Sequence, residues 1–454
     1  MSTTDSGYVI FVDESVLDGS VEMFGMAGGV FAALPSEAEA AATTAEALPP
    51  EELLSRRHAV LSQIASGIDN PSTRFETLGA VGDAATFGLP KIASIEPQSE
   101  PPADMRVLAG VGAILVDRDE LDLEAIYSQP GVSVYPNLEV HMVHPDMDAV
   151  IDVAEGAAAA ADDQFWHLRK VGLSSGQSGG QGIMIGVLDT GIDDSHAEFT
   201  GKVVHFREFG KDGQVVGSNA RDAGTHGTHV SSIAAGRTCG AAPDADLAVA
   251  AVLTTPDAQG RLFGYLKQIA AGMDWLVQHQ FRPGRRGVDV VNASLGGSGY
   301  QDYLEQPVLN GLTAGISMIA AIGNDGRRGA GFHGSPGNYR TTLSVGASDA
   351  NDVTANFSDW QLSGPDGRIQ YPVPNLSAPG VDVVAAIPGN RYARMSGTSM
   401  ATPLVTGIAA RRMSANPALL GHPRALFLSL LSTLDPIQPH PYSRNYGGAG
   451  RIRA

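Results

Sequence analysis

One cysteine, Cys239, in 454 residues excludes an intrachain disulfide framework and any cysteine-based zinc site. It suits a reducing compartment without requiring one. Basic residues are also scarce, with 30 Lys and Arg against 49 Asp and Glu and a formal charge of −19. Phosphate backbones need a basic footprint, so nucleic acid is not an expected partner. No window approaches the ~18 uninterrupted apolar residues of a membrane span. The opening "MSTTDSGYVIFVDES" lacks a basic start followed by an apolar core, so no secretory signal is visible. The expectation is a protein of the cytoplasm, or one exported without a recognisable signal peptide.

What is present describes a turn-rich globular chain, with 43% hydrophobic residues, 55 glycines and 27 prolines. Its length favours at least two domains. Acid is concentrated early, in runs such as "PSEAEAAATTAEALPPEELL" and "DRDELDLE", which read as a solvated accessory segment. "YVIFVD" (8–13) and "VGAILVDRD" (111–119) read as buried strands, followed by a short helix over "LDLEAIYSQ" and a third strand "VSVYPNLEV". This small α+β pattern occupies residues 1–145. An acidic insertion at about 35–105 interrupts it and carries a helical stretch at 49–66. Residues 146–163, with their alanine run and closing Asp pair, read as a linker.

From 164 to 454 the texture is that of an α/β domain. "GIMIGVLDTGI", "DADLAVAAVL", "GVDVVNASLGG", "ISMIAAIGNDG" and "TTLSVGAS" are apolar runs ending in Gly, Asp, Asn or Ser, as strands of a parallel sheet buried on both faces do. Helical stretches such as "HGTHVSSIAAG" and "YLKQIAAGMDWLVQH" separate them at crossover spacing. Functional groups then belong at the strand C-termini.

Three stretches place a reactive residue type at such an end: Asp189 in "VLDTGID", His226 in "GTHGTHVSS" and Ser399 in "MSGTSMATPLVTG". Each alone has an ordinary explanation. Asp189 and Ser399 suit helix caps or turns, and His226 suits a satisfied, partly buried histidine. Together, in this order, they closely resemble the subtilase family of serine proteases. The resemblance implies a triad in which Ser399 attacks, His226 carries the proton and Asp189 orients the imidazole. It also implies that His229 is structural. Asn324 in "AAIGNDG" matches the family's oxyanion-hole asparagine, acting with the Ser399 backbone N–H; by itself Asn-Asp-Gly is a common turn.

Three further matches imply an extended peptide in the cleft. Ser294, Leu295 and Gly296 resemble the strand that pairs with substrate main chain. Gly260, Arg261 and Leu262 fall where the opposite edge is expected. Gly334 and Ser335 align with the loop flooring the pocket for the residue before the scissile bond. Ordinary glycine-rich connections would look the same.

The first 145 residues resemble the family's inhibitory propeptide, an intramolecular inhibitor whose tail, within 138–163, would block the cleft. The helix after the histidine motif runs on without the calcium-loop insertion of many secreted members. No cofactor is expected to be required, and 49 acidic residues leave room for a weak calcium site elsewhere. Cys239 reads as a buried small hydrophobe.

The fold expected is thus α/β, a subtilisin-like parallel sheet flanked by helices, plus a small propeptide-like α+β domain. The function expected is serine endopeptidase, made as a zymogen and acting on protein or peptide substrates. Two alternatives are a non-catalytic peptide-binding scaffold and a transacylase in which an amine intercepts the acyl-enzyme.

Overall fold

A computed structural model describes residues 7–13, 50–69, 101–118, 121, 123, 126, 131–143, 146–151, 164–363, 371–438 and 447–454. Most of the acidic insertion, much of the helix expected at 121–129, and residues 152–163 of the expected linker lie outside them. The chain divides into two compact units, Met1–Asn137 and Leu138–Ala454.

The first unit contains β1 (Tyr8–Val12), α1 (Pro50–Asp69), β2 (Met105–Leu108), β3 (Ala113–Val116) and β4 (Val132–Pro136). Its strands form an antiparallel sheet in the order β2-β3-β1-β4. Ile10, Val12, Ile114 and Val116 meet Leu61, Ile64 and Ala65 of α1 in one core. Alternate strand residues thereby share a face with a helical stripe, as the periods of two and 3.6 require.

The second unit begins with β5 (Glu139–Met142), β6 (Asp146–Ile151), α2 (Trp166–Lys170), β7 (Met184–Asp189), β8 (Val204–Phe209) and β9 (Val215–Gly217). There follow α3 (His226–Ala235), β10 (Asp246–Ala251), β11 (Thr255–Pro256), β12 (Leu262–Tyr265), α4 (Leu266–Gln278), β13 (Val290–Ala293), β14 (Leu295–Ser298) and α5 (Glu305–Thr313). Next are β15 (Ser317–Ala321), β16 (Gly334–Ser335), β17 (Leu343–Ser348), the hairpin β18 (Gln361–Ser363) and β19 (Tyr371–Val373), and β20 (Leu376–Pro379). The chain closes with β21 (Val383–Ile387), β22 (Arg391–Ser396), α6 (Thr398–Ala415), α7 (Pro423–Leu431), β23 (Leu434–Asp435) and β24 (Arg451–Ile452).

Among the described residues, ten strands form the main sheet, in the order β23-β24-β20-β17-β15-β13-β7-β10-β8-β9. Every pairing from β8 across to β24 is parallel. All five apolar runs singled out in the sequence are strands of this sheet. Ile185, Val187, Val249 and Val345 share a core with α3 and α6. On the alternate positions, Val291 and Met318 line a small cavity with Met273 of α4 and Val308 of α5. Helices therefore cover both faces, which explains strands that are apolar at every position.

Two boundaries differ from the sequence reading. "VSVYPNLEV" is not one strand: β4 ends at Pro136 in the first unit, and β5 belongs to the second. Asn137 and Leu138 separate them. The stretch expected to begin a linker instead forms β6, which pairs antiparallel with β22. Strand pairing with a partner 240 or more positions away leaves no trace in local composition.

Candidate active site

Asp189 ends β7, where its backbone is in register with Ala251 of β10, and it is fully buried. Its Oδ1 accepts the Thr190 N–H at 2.8 Å and the Nδ1–H of His226 at 2.7 Å. A carboxylate only accepts, so a ring proton sits on Nδ1, which leaves Nε2 as the acceptor whenever the ring carries a single proton. His226 Nε2 is buried and has no hydrogen-bond partner.

The meeting of the two residues depends on a close approach of backbones. An added Cβ at Gly227 would fall 2.1 Å from the Gly191 carbonyl oxygen. One at Gly191, whose φ is +128°, would fall 2.0 Å from the Arg221 carbonyl oxygen. Asp222, which the sequence reading did not single out, fastens the junction. Its Oδ1 accepts from Thr190 Oγ1 at 2.6 Å, and its Oδ2 accepts from the Thr228 N–H at 2.8 Å and Thr228 Oγ1 at 2.6 Å. Thr190 Oγ1 in turn accepts the Gly227 N–H at 2.9 Å. Asp222 precedes α3 by four residues, and an acid just ahead of a helix start was the available signal.

His229, one turn further on, donates from Nε2 to the Ala393 carbonyl at 3.1 Å. Burial lowers its pKa from 6.5 to about 3. His167 is likewise lowered to about 4 by burial and bonds the Cys239 carbonyl at 2.9 Å. Both are neutral packing histidines. Cys239 is buried, and burial pushes its thiol well above the usual range.

Ser399 is the second residue of α6 and is buried. Its hydroxyl donates to the Val143 carbonyl oxygen at 2.8 Å. Asn324 sits beside it: its Oδ1 accepts the Thr398 N–H and Thr398 Oγ1, both at 2.9 Å. Two donors on the oxygen fix which way the amide faces, with the NH₂ group turned away from Thr398.

Val143 arrives there because β5 lies between two strands. It pairs antiparallel with β12 (Phe263↔His141, Gly264↔Val140, Tyr265↔Glu139) and with β14 (Leu295↔Met142, Gly296↔His141). Leu295 and Gly296 therefore contact an extended segment of this same chain. Ser294 faces the helix instead: its buried hydroxyl meets the Ser399 carbonyl at 3.2 Å.

The other expected edge is displaced along the chain. Gly260 and Arg261 lie in the hairpin turn, where Asp257 Oδ2 accepts from Arg261 Nε at 2.7 Å, and Leu262 pairs with Pro256. Phe263, Gly264 and Tyr265 are the residues that pair with β5, because the two-strand ladder begins only after the turn closes. Gly334 and Ser335 form β16 on the far side of β14. The Ser335 hydroxyl is buried, accepting the Gln301 N–H at 2.8 Å and donating to Asn338 Oδ1 at 2.6 Å.

A family model described as Subtilase family matches residues 180–447. "Subtilisin-like protease 5" of Trichophyton verrucosum is 34% identical over 278 residues, which is 60% of this chain and 64% of that protein. An "Extracellular serine proteinase" of Thermus sp. (strain Rt41A) is 38% identical over 233 residues, 51% of this chain and 50% of its own length. The chain thus spans less than two thirds of these relatives. A crystal structure of a cold adapted subtilisin-like serine proteinase superposes with a TM-score of 0.50 at 26% identity, covering 63% of this chain and 96% of that one.

Proposed function

This chain belongs to the subtilase family, and from that premise we propose that it is a serine endopeptidase made as a zymogen. The observation that carries the reading is the Ser399 hydroxyl, 2.8 Å from the carbonyl oxygen of a peptide held extended between two strands. A hydroxyl is a weak nucleophile at neutral pH and needs a nearby base. With Asp189 holding the Nδ1 proton, His226 Nε2 is the atom that would take the proton of Ser399 as it attacks and pass it to the leaving amine. The carboxylate stabilises the imidazolium formed in between. Charge gathering on the carbonyl oxygen would be met by the Asn324 amide and the Ser399 N–H at the start of α6.

Main-chain pairing along β12 and β14 supplies affinity for any extended segment, so the proposed substrates are unfolded or flexible stretches of protein. The first unit, joined directly to β5, is proposed as the intramolecular inhibitor that delivers this strand. Hydrolysis needs only these side chains and water, so no cofactor is proposed. Of the two expected locations, export is the one consistent with the Thermus relative named as extracellular. Among the described residues no helix is long and apolar enough to cross a membrane.

The test compares the full chain with Ser399→Ala, following hydrolysis of casein and labelling by a fluorophosphonate after prolonged incubation. Both activities in the wild type and neither in the variant are expected. Absence of both from the wild type would leave a sealed, non-catalytic scaffold.

A further inference from the structure

We propose that the bond this chain cuts in itself is the peptide bond on the C-terminal side of Val143, joining it to His144. The assignment rests on the protease reading above and adds to it the address of the cut. Three independent observations point to that bond.

The first is contact. Ser399 Oγ lies 2.8 Å from the Val143 carbonyl oxygen, so Val143 presents its carbonyl group to the hydroxyl.

The second is register. Along β5, Glu139 and His141 are exposed, whereas Val140 is completely buried. Side chains alternate with a period of two, so sliding the strand by one residue would drive Glu139 or His141 into the seat of Val140. Burying an ionised carboxylate there without a partner is strongly unfavourable. Exposed His141 also packs against Phe263, the rings tilted by 34° with 5.6 Å between centroids. The strand is thereby locked with Val143 beneath the serine.

The third is that the chain is held on both sides of the bond. Upstream, β5 is paired as far as Met142 with Leu295. Downstream, β6 pairs with β22 beginning at Asp146 with Ser396, three residues before Ser399. The bond thus follows a strand paired up to Met142 and precedes one paired from Asp146.

In the reaction, Ser399 Oγ bonds to the Val143 carbonyl carbon and gives its proton to His226. The bond to the His144 nitrogen breaks, and His226 protonates that leaving amine. Water then adds to the acyl carbon, returning a proton through His226 to Ser399. The products are a chain ending in the Val143 carboxylate and a chain beginning with the His144 amine. No other reactant is consumed.

The experiment incubates the full-length wild type, Ser399→Ala and Val143→Pro, and maps new termini by intact mass and N-terminal sequencing. The expected result is a new terminus at His144 in the wild type, none in Ser399→Ala, and a rate lowered at least about tenfold at this bond in Val143→Pro, where a constrained backbone misplaces the carbonyl. Casein hydrolysis is followed in the same samples. A wild type that hydrolyses casein but stays intact, or acquires its first new terminus elsewhere, overturns the assignment and leaves the protease reading standing. A wild type that neither cuts itself nor hydrolyses casein overturns both. Because the terminus in the wild type is decisive by itself, misfolding of Val143→Pro does not rescue or sink the assignment.

Discussion

Ser294 donates its hydroxyl to the carbonyl of Ser399 at 3.2 Å, an acceptor that the helix itself cannot serve. In α6 the partner of that carbonyl, four residues on, is Pro403, which has no N–H. Asn292 Nδ2 donates to the Ser294 hydroxyl at 3.1 Å, and Thr406 Oγ1 donates to Asn292 Oδ1 at 3.2 Å, so the repair is tied back into the helix. Replacing Ser294 by Ala is expected to cost about 1–3 kcal/mol of stability, the range for a buried group left without its partner. Thermal unfolding of Ser294→Ala in a Ser399→Ala background measures it without self-digestion; an unchanged midpoint would contradict the role.

Asn324 is oriented through its oxygen by both donors of Thr398. Asn324→Ala should lower kcat on the order of 10²–10³-fold, with KM little altered, because the amide would act on charge absent from the ground state. Thr398→Val, which removes one of the two orienting donors, should produce a smaller loss of the same kind. A change confined to KM in either variant would show that the amide binds substrate instead.

Asp222 joins the Asp189 loop to the His226 helix through Thr190 and Thr228. Asp222→Ala should lower kcat at least about tenfold through misplacement of the imidazole, since small displacements of catalytic groups are costly. Asp222→Asn keeps one acceptor and should recover part of the loss. Equal activity of the two variants and the wild type would confine Asp222 to folding.

Asp359 lies behind the Asn324 loop, with its N–H on the Gly323 carbonyl at 3.1 Å and its Oδ1 buried without a partner. Burial raises its pKa from 3.8 to about 8. The folded state therefore holds a proton that the unfolded chain releases, so its contribution is full below about 3.8 and is lost as pH rises through about 8. The buried histidines act in the opposite sense. His229 and His167, at about 3 and about 4, resist a proton that the unfolded chain accepts below 6.5, so their contribution is full above that value and lost as pH falls. Asp359→Asn should gain on the parent in unfolding temperature as pH rises from 4 to 9. A difference that stays constant across that range would rule out the buried neutral acid.

Much of the second unit was legible from its residues. The five apolar runs became parallel strands because a strand covered on both faces must be apolar at every position. "DTG" and "HGTH" could be read only through their resemblance to the subtilase motifs; the structure adds that Gly191 and Gly227 sit at contacts that admit no side chain. The binding edges were less legible. Gly260 and Arg261 looked like an edge, yet the pairing falls on Phe263–Tyr265, since the end of a turn is set by hydrogen bonds that composition does not specify.

The sequence by itself determined the residue types, their order and the parallel-sheet character, because periodicity and reactive chemistry are local properties of a chain. Only the tertiary structure decided that "VSVYPNLEV" is divided between two units, that Ser294 serves a proline's missing bond, and that Val143 is the residue beneath the serine. Each of these depends on partners 100 or more positions apart, and such pairings are selected by packing and register after the chain has collapsed.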